Sequence, residues 1–102
     1  MTVTSLPNTY DAHVDFLMAR YGDRYERLTK TQKAGIGLVL MQAIAKVDDE
    51  GQDVNQVWFE SIQRHGALLP LGFSFQGLTN KTLDSLIRRQ FQAISNQIHG
   101  LV

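Results

Sequence analysis

Asp11, His13 and Asp15, near the start of the sequence, could together bind a metal ion. Carboxylates and imidazoles are ordinary ligands for zinc and related ions. The segment has a helical pattern, however, and helix residues two apart do not share a face, so His13 points away from both carboxylates. We therefore predict a solvated first helical turn, with its acidic groups near the positive end of the helix, and no metal site.

The acidic run from Asp48 to Asp53 has the composition of a calcium-binding loop. An EF-hand loop needs an oxygen ligand at its first position and glycine at its sixth. Placing Gly51 at the sixth position puts Lys46 at the first, and starting the loop at Asp49 puts Val54 at the sixth. We therefore predict an acidic turn between two helices.

The segment Gly72–Gly77 nearly matches the G-x-S-x-G nucleophile elbow. Gln76 stands where the second glycine belongs, and the strand-to-helix context of such an elbow is absent. Gly35 and Gly37 begin a dinucleotide-binding pattern, but Leu40 replaces its third glycine and the segment lies inside a helix. Because no nucleophile or acid–base pair is assembled, we predict a protein that is not an enzyme and that holds no cofactor or metal.

Arg88 and Arg89 lie together on the polar face of the last helix, and with Lys81 they could contact a nucleic acid. The chain carries ten Lys and Arg residues against ten Asp and Glu residues. A neutral domain has no overall field that attracts a phosphate backbone. Nucleic-acid binding through these residues is therefore the weaker, alternative hypothesis.

These side chains must be positioned by helices, and the stretch from Lys30 to Val47 predicts the central one. Ile36, Leu40 and Ile44 share one face of it, and its polar strip is narrow. A helix that is apolar on most sides is surrounded by protein or by lipid. Its apolar run of about twelve residues is too short for a bilayer, which needs about twenty. We therefore predict a helix buried in a protein core, with no membrane insertion.

The remaining helices follow from capping residues, stop glycines and apolar periodicity. We predict an all-α, four-helix bundle-like domain around the buried central helix. The predicted ranges are 9–21, 30–47, 54–65 and 81–99, with a short extra turn at 24–28.

Residues 66–78 break the helical pattern. Apolar residues alternate there with Pro, Gly, Ser and Gln at every second position, which is the period of a strand. Proline and glycine argue against a long strand, and the sequence offers no second strand to pair with it. We predict an irregular apolar arm laid over the helices.

The arm and two aromatic residues outside the helical stripes, Phe16 and Phe59, give the chain more apolar surface than four short helices can cover. One interpretation is that the excess caps the bundle as core. The other is that it is exposed, and exposed apolar patches mark binding sites. We predict a partner-binding surface with a polar rim. Its residues are Phe59, Leu71, Phe73, Phe75, Arg88 and Arg89.

Ala34, Gly37 and Ala45 form a second, small-residue face of the central helix. Glycine inside a helix costs roughly 0.5–1 kcal/mol, and its usual compensation is close approach of another backbone. We predict that these residues are an oligomer interface, so that the central helix is shared between two copies. A cavity beside the same face would instead make the protein a carrier of a hydrophobic ligand.

Composition supports a single helical domain over residues 1–102, in which residues 1–8 are expected to be mobile. The chain has no cysteine, which excludes disulfides and thiolate chemistry. The first residues lack the basic and apolar regions of a signal peptide, so we expect a cytoplasmic protein. The function predicted is a small, non-enzymatic protein–protein interaction module, an adaptor or regulator that also forms a homodimer.

Overall fold

The computed structural model describes residues 10–99, and the side chains of residues 10–97. The described chain contains four α-helices, and no strand is found within it. The helices are α1 (Tyr10–Tyr21), α2 (Lys30–Glu50), α3 (Val54–His65) and α4 (Asn80–His99), and one 3-10 turn (Gly66–Leu68) follows α3. The predicted all-α fold is confirmed. The predicted mobility of residues 1–8 lies outside the described residues.

The ends of α2 are set by local side-chain and backbone hydrogen bonds. Thr29 Oγ1 accepts from the Gln32 amide at 3.1 Å, and Gln32 Oε1 accepts from the Thr29 amide at 2.8 Å, which completes a capping box. Gly51 ends the helix in the left-handed conformation, with φ of 64°. The helix is three residues longer than predicted, because the acidic residues after Val47 are still helical.

The next two helices begin at similar caps. Asp53 accepts a hydrogen bond from the Gln56 amide at the start of α3, and Thr79 accepts one from the Thr82 amide at the start of α4. Asn80 also donates to the Asp53 carboxylate at 2.6 Å. The N-termini of α3 and α4 are therefore fastened to each other.

The segment 24–28 is a loop of turns, and the helical turn predicted there is wrong. Tyr25 has a left-handed backbone, with φ of 54°, which interrupts a helix. The side chain of Tyr25 is buried and donates a hydrogen bond to the Gln90 side chain on α4. A long-range contact therefore holds this residue in a conformation that local propensity disfavours. Burial also raises the pKa of the Tyr25 hydroxyl to about 12.

Helix α2 is central because it packs against α4, α3 and the 3-10 turn. Its buried side carries Ile36, Val39, Leu40 and Ala43, all of which are almost completely inaccessible to solvent. The face opposite is not covered by any other described part of the chain. The central helix is therefore buried on one side and open on the other within the described residues.

The arm fills the space between the helices. Phe73 and Phe75 are 0% and 1% exposed. The Phe75 ring stacks on Trp58 with 5.8 Å between centroids, and the Phe73 ring lies 5.7 Å from that of Tyr21. The prediction that Phe73 and Phe75 belong to an exposed binding surface is corrected, because alternation in an extended segment turns both rings towards the helices.

Candidate interaction surface

Four apolar residues line the outer face of α2 and together form the α2 stripe: Ala34, Leu38, Met41 and Ala45. They are spaced by four, three and four residues, which places them on one side of the helix. All four are exposed, and Leu38 and Met41 retain 44% and 49% of their accessible surface. This spacing is the one that helices use when they pack along a seam.

The 3-10 turn extends the α2 stripe at one edge. The Leu68 side chain lies over Gly35, where a Cβ atom would be 3.5 Å from the Leu68 Cβ. Leu68 itself is 43% exposed, so it adds an apolar side chain beside the helix turn that carries Leu38. The exposed apolar surface therefore includes more than α2 alone.

A groove of about 440 Å³ lies at the other end of the same edge, between α2 and α3. It is lined by Ala45 of the α2 stripe, by Lys46, and by Arg64 and His65 in the last turn of α3. The groove has one small apolar wall and several polar side chains. It provides a recess directly beside the α2 stripe.

The predicted oligomer interface is divided by the structure. Ala34 and Ala45 are exposed, as a contact surface requires, but Gly37 is buried within the single chain. The close neighbour that Gly37 needs is thus supplied by the same copy, and its assignment to the interface is corrected. The side chains of Leu38 and Met41 take the exposed positions between the two alanines.

Charged residues are distributed unequally along α2. Lys30 begins the helix, and Asp48, Asp49 and Glu50 end it. Asp48 is held by Arg88 of α4, whereas Lys30 and Asp49 have no ion pair among the described residues. Apart from Lys46, which lines the groove beside α3, the charged residues of α2 are therefore basic in its first turn and acidic in its last turn.

Arg88 is used within the fold. It donates to Asp48 on α2 and to Asp84 one turn earlier on α4, and these hydrogen bonds raise its pKa above the ordinary value. The Arg89 guanidinium lies 5.8 Å from the centre of the Tyr10 ring. Since two carboxylates neutralise Arg88, the predicted pair of arginines does not form a free basic patch.

The remaining predicted partner residues do not lie together. Phe59 is 56% exposed and borders a groove of about 230 Å³ between α3 and the arm. Leu71 is 63% exposed, and its carbonyl accepts from the Tyr21 hydroxyl at the end of α1. The six residues predicted from the sequence therefore divide into a buried pair, a neutralised arginine and separate exposed side chains.

The segments with possible catalytic or metal-binding patterns have structural roles. Asp48 pairs with Arg88, and Asp53 caps α3. Within the described chain, no three metal-binding side chains are grouped together. His13 packs edge-on against Phe75, with 5.6 Å between ring centroids, and its buried Nε2 atom has no hydrogen-bond partner among residues 10–97.

Leu38 and Met41 are the main surface residues that sequence reasoning missed. On the helical wheel Met41 lies within the small-residue face and Leu38 beside it, and their type is equally common in a core. The four-three-four spacing of Ala34, Leu38, Met41 and Ala45 was the available signal. It becomes informative only when the neighbouring helices are known to lie on the opposite face.

No protein-family model, curated protein or solved structure matches this chain. Among the described helices, none combines the length and hydropathy that a membrane span requires.

Proposed function

We propose that the chain is a small, non-enzymatic interaction module, an adaptor or regulator that self-associates through the α2 stripe. The observation that carries the proposal is the exposure of Leu38 and Met41 between two exposed alanines on the outer face of the central helix. Side chains of this size at seam spacing lose apolar surface to water when a second helix packs on them.

The expected strength follows from the size of the surface. A standard interface buries about 800 Å² on each partner, and a single helix face with one flanking leucine is smaller than that. Self-association should therefore be reversible and should appear at micromolar or higher concentration. This is the behaviour of an interaction module that exchanges partners. The cytoplasmic location expected from the sequence remains a prediction.

The nucleic-acid and carrier alternatives have less support. Arg88, one of the two arginines required for nucleic-acid binding, is occupied by Asp48 and Asp84. A carrier would need an enclosed apolar space beside α2, and the groove there is polar on several sides and opens at the surface. Protein–protein interaction is the function that fits the exposed side chains best.

The test is sedimentation equilibrium over roughly 10 µM to roughly 1 mM, the range in which a small interface associates. Wild-type protein should show a concentration-dependent mass above that of the monomer. Leu38→Glu with Met41→Glu should return it to the monomer mass without changing the helical circular dichroism, because both side chains are exposed.

Leu71→Glu is the matched control, since Leu71 is a still more exposed apolar residue outside α2. It should leave the association unchanged. A wild-type protein that stays monomeric over the whole range would overturn the proposal. Equal loss of association in the control would show that the α2 stripe is not the contact surface.

A further inference from the structure

The α2 stripe has a symmetry that bears on what covers it. In chain order its residues are small, large, large and small: Ala34, Leu38, Met41 and Ala45. The midpoint lies between residues 39 and 40. Reversing the helix about this midpoint exchanges the two alanines and exchanges Leu38 with Met41. Two copies of the stripe therefore match each other when their helices run antiparallel.

An antiparallel pair of α2 helices would use this symmetry. Ala34 of one copy would lie beside Ala45 of the second copy, and Leu38 would lie beside Met41. Two alanines facing each other at both ends permit close approach of the backbones, and the large side chains fill the middle. The contact would be isologous, as expected for a two-fold dimer.

The charges of α2 also favour the antiparallel direction. Lys30 and Asp49 lie equally far from the midpoint, about 28 Å apart along the helix axis at 1.5 Å per residue. Antiparallel pairing brings Lys30 of each copy level with the acidic end of the other, where Asp49 has no ion pair with any residue that the structure describes. Parallel pairing would instead place lysine beside lysine and aspartate beside aspartate.

The groove at Ala45 fits the same arrangement. The two-fold axis runs perpendicular to the plane that contains the two α2 helices. The α3 helices of both copies therefore lie on the same side of that plane. Leu68 lies over Gly35, and residue 35 comes level with residue 44 of the second copy. The exposed Leu68 side chain is therefore presented to the groove beside Ala45 and Lys46 of that copy.

We propose that the α2 stripe is covered by the α2 stripe of a second copy of this chain, in antiparallel orientation about a two-fold axis between Leu38 and Met41. The proposal rests on the proposed self-association and adds its partner and geometry. Lys30 and the acidic end of α2 set the direction, and Leu68 packs against Ala45 at the rim of the groove of the second copy.

Cysteine cross-linking tests the orientation, because the chain has no native cysteine. Ala34→Cys and Ala45→Cys proteins are oxidised separately and as an equimolar mixture. The antiparallel pair predicts a disulfide dimer only in the mixture, since identical positions lie about 16 Å apart along the helix axis. A parallel pair would cross-link each single variant alone.

Charge exchange tests the ends of the helix. Lys30→Glu or Asp49→Lys alone should weaken the dimer by roughly threefold to tenfold, and the double variant should restore the wild-type affinity. Each single change places at its helix end the charge that the helix dipole favours, so neither should weaken the monomer. Absence of rescue in the double variant would overturn the assigned direction.

Leu68→Ser tests the groove contact and should also weaken the dimer, whereas Leu71→Ser should not. These outcomes separate the two levels of the proposal. A monomeric wild-type protein overturns the proposed function itself. A dimer that cross-links in each single-cysteine protein, or whose affinity is unchanged by Leu68→Ser, overturns only the antiparallel geometry.

Discussion

Arg88, near the middle of α4, donates two hydrogen bonds to the Asp48 carboxylate in the last turn of α2, at 3.1 Å and 2.6 Å. The same guanidinium bonds to Asp84 through Nε at 3.0 Å. Two carboxylates on two helices thus share one cation, which ties the acidic end of α2 to α4. The hydrogen bond from Arg88 holds the pKa of Asp48 below its ordinary value.

Asp48→Asn should lower stability at neutral pH by an amount that disappears in acid. A carboxylate with a lowered folded-state pKa contributes stability above its unfolded pKa, and this contribution is lost as pH falls through the folded value. Urea unfolding curves of wild type and variant should therefore differ at pH 7, and the difference should begin to shrink as pH falls below about 4. The difference should be small and should shrink with salt, because both partners are solvent-accessible.

Asp49→Asn is the control for that experiment, because Asp49 lies in the same helical turn and has no ion pair within the described part of the chain. It should not reproduce the pH-dependent difference. A difference between Asp48→Asn and wild type that stays constant from pH 7 to pH 3 would contradict an electrostatic role for Asp48.

His13 should make the fold sensitive to mild acid. Burial lowers the pKa of its imidazole below the ordinary value of 6.5, and no described residue accepts a hydrogen bond from Nε2 that would favour the protonated form. The unfolded chain therefore takes up a proton at a higher pH than the folded chain. The contribution of His13 to the free energy of unfolding should be fully present above about pH 6.5, the unfolded pKa. It should be lost as pH falls from there towards the folded pKa.

The measurement is the free energy of unfolding between about pH 8 and about pH 5, the range in which histidine titrates. His13→Gln should flatten the curve in this window. An unchanged slope in His13→Gln would show that another group causes the pH dependence.

The helices were predictable because their boundaries are determined by neighbours in sequence. Thr29 and Gln32 bond to each other, and Asp53 caps the helix that begins one residue later. The turn around Tyr25 was not predictable, because its conformation accompanies a hydrogen bond to Gln90, which lies 65 residues away. Local signals therefore gave the elements but not the irregular connection.

For a related reason, the sequence alone does not distinguish the exposed apolar residues from the buried ones. Phe73 and Leu71 are both apolar residues of one extended arm, and only the position of neighbouring residues such as Tyr21 and Tyr25 decides which of them is enclosed. In the same way, Leu40 and Met41 are adjacent in α2, yet the first is 0% exposed and the second 49%. Residue type reports the tendency to be buried, and the position of the other helices decides where the burial occurs.

Phe73→Ala and Leu71→Ala form a matched pair within the arm. Phe73 is fully buried, so its truncation leaves a cavity and should cost about 3–5 kcal/mol of unfolding free energy. Leu71 is 63% exposed, and its truncation should change stability by no more than about 0.5 kcal/mol. Chemical denaturation of both variants measures this difference. Similar values for the two would mean that the arm does not pack as described.

Gly72→Ala and Gly51→Ala separate backbone strain from crowding. Both glycines have positive φ, 98° and 64°, so any side chain there is strained by about 1 kcal/mol. A Cβ atom at Gly72 would lie 2.7 Å from the Phe16 ring, whereas at Gly51 nothing lies within 4 Å. Gly72→Ala should therefore destabilise the fold by roughly a further 1–3 kcal/mol in thermal or urea unfolding, because the Phe16 ring must move. If the two alanine variants unfold at the same denaturant concentration, the arm does not press against α1 at this point.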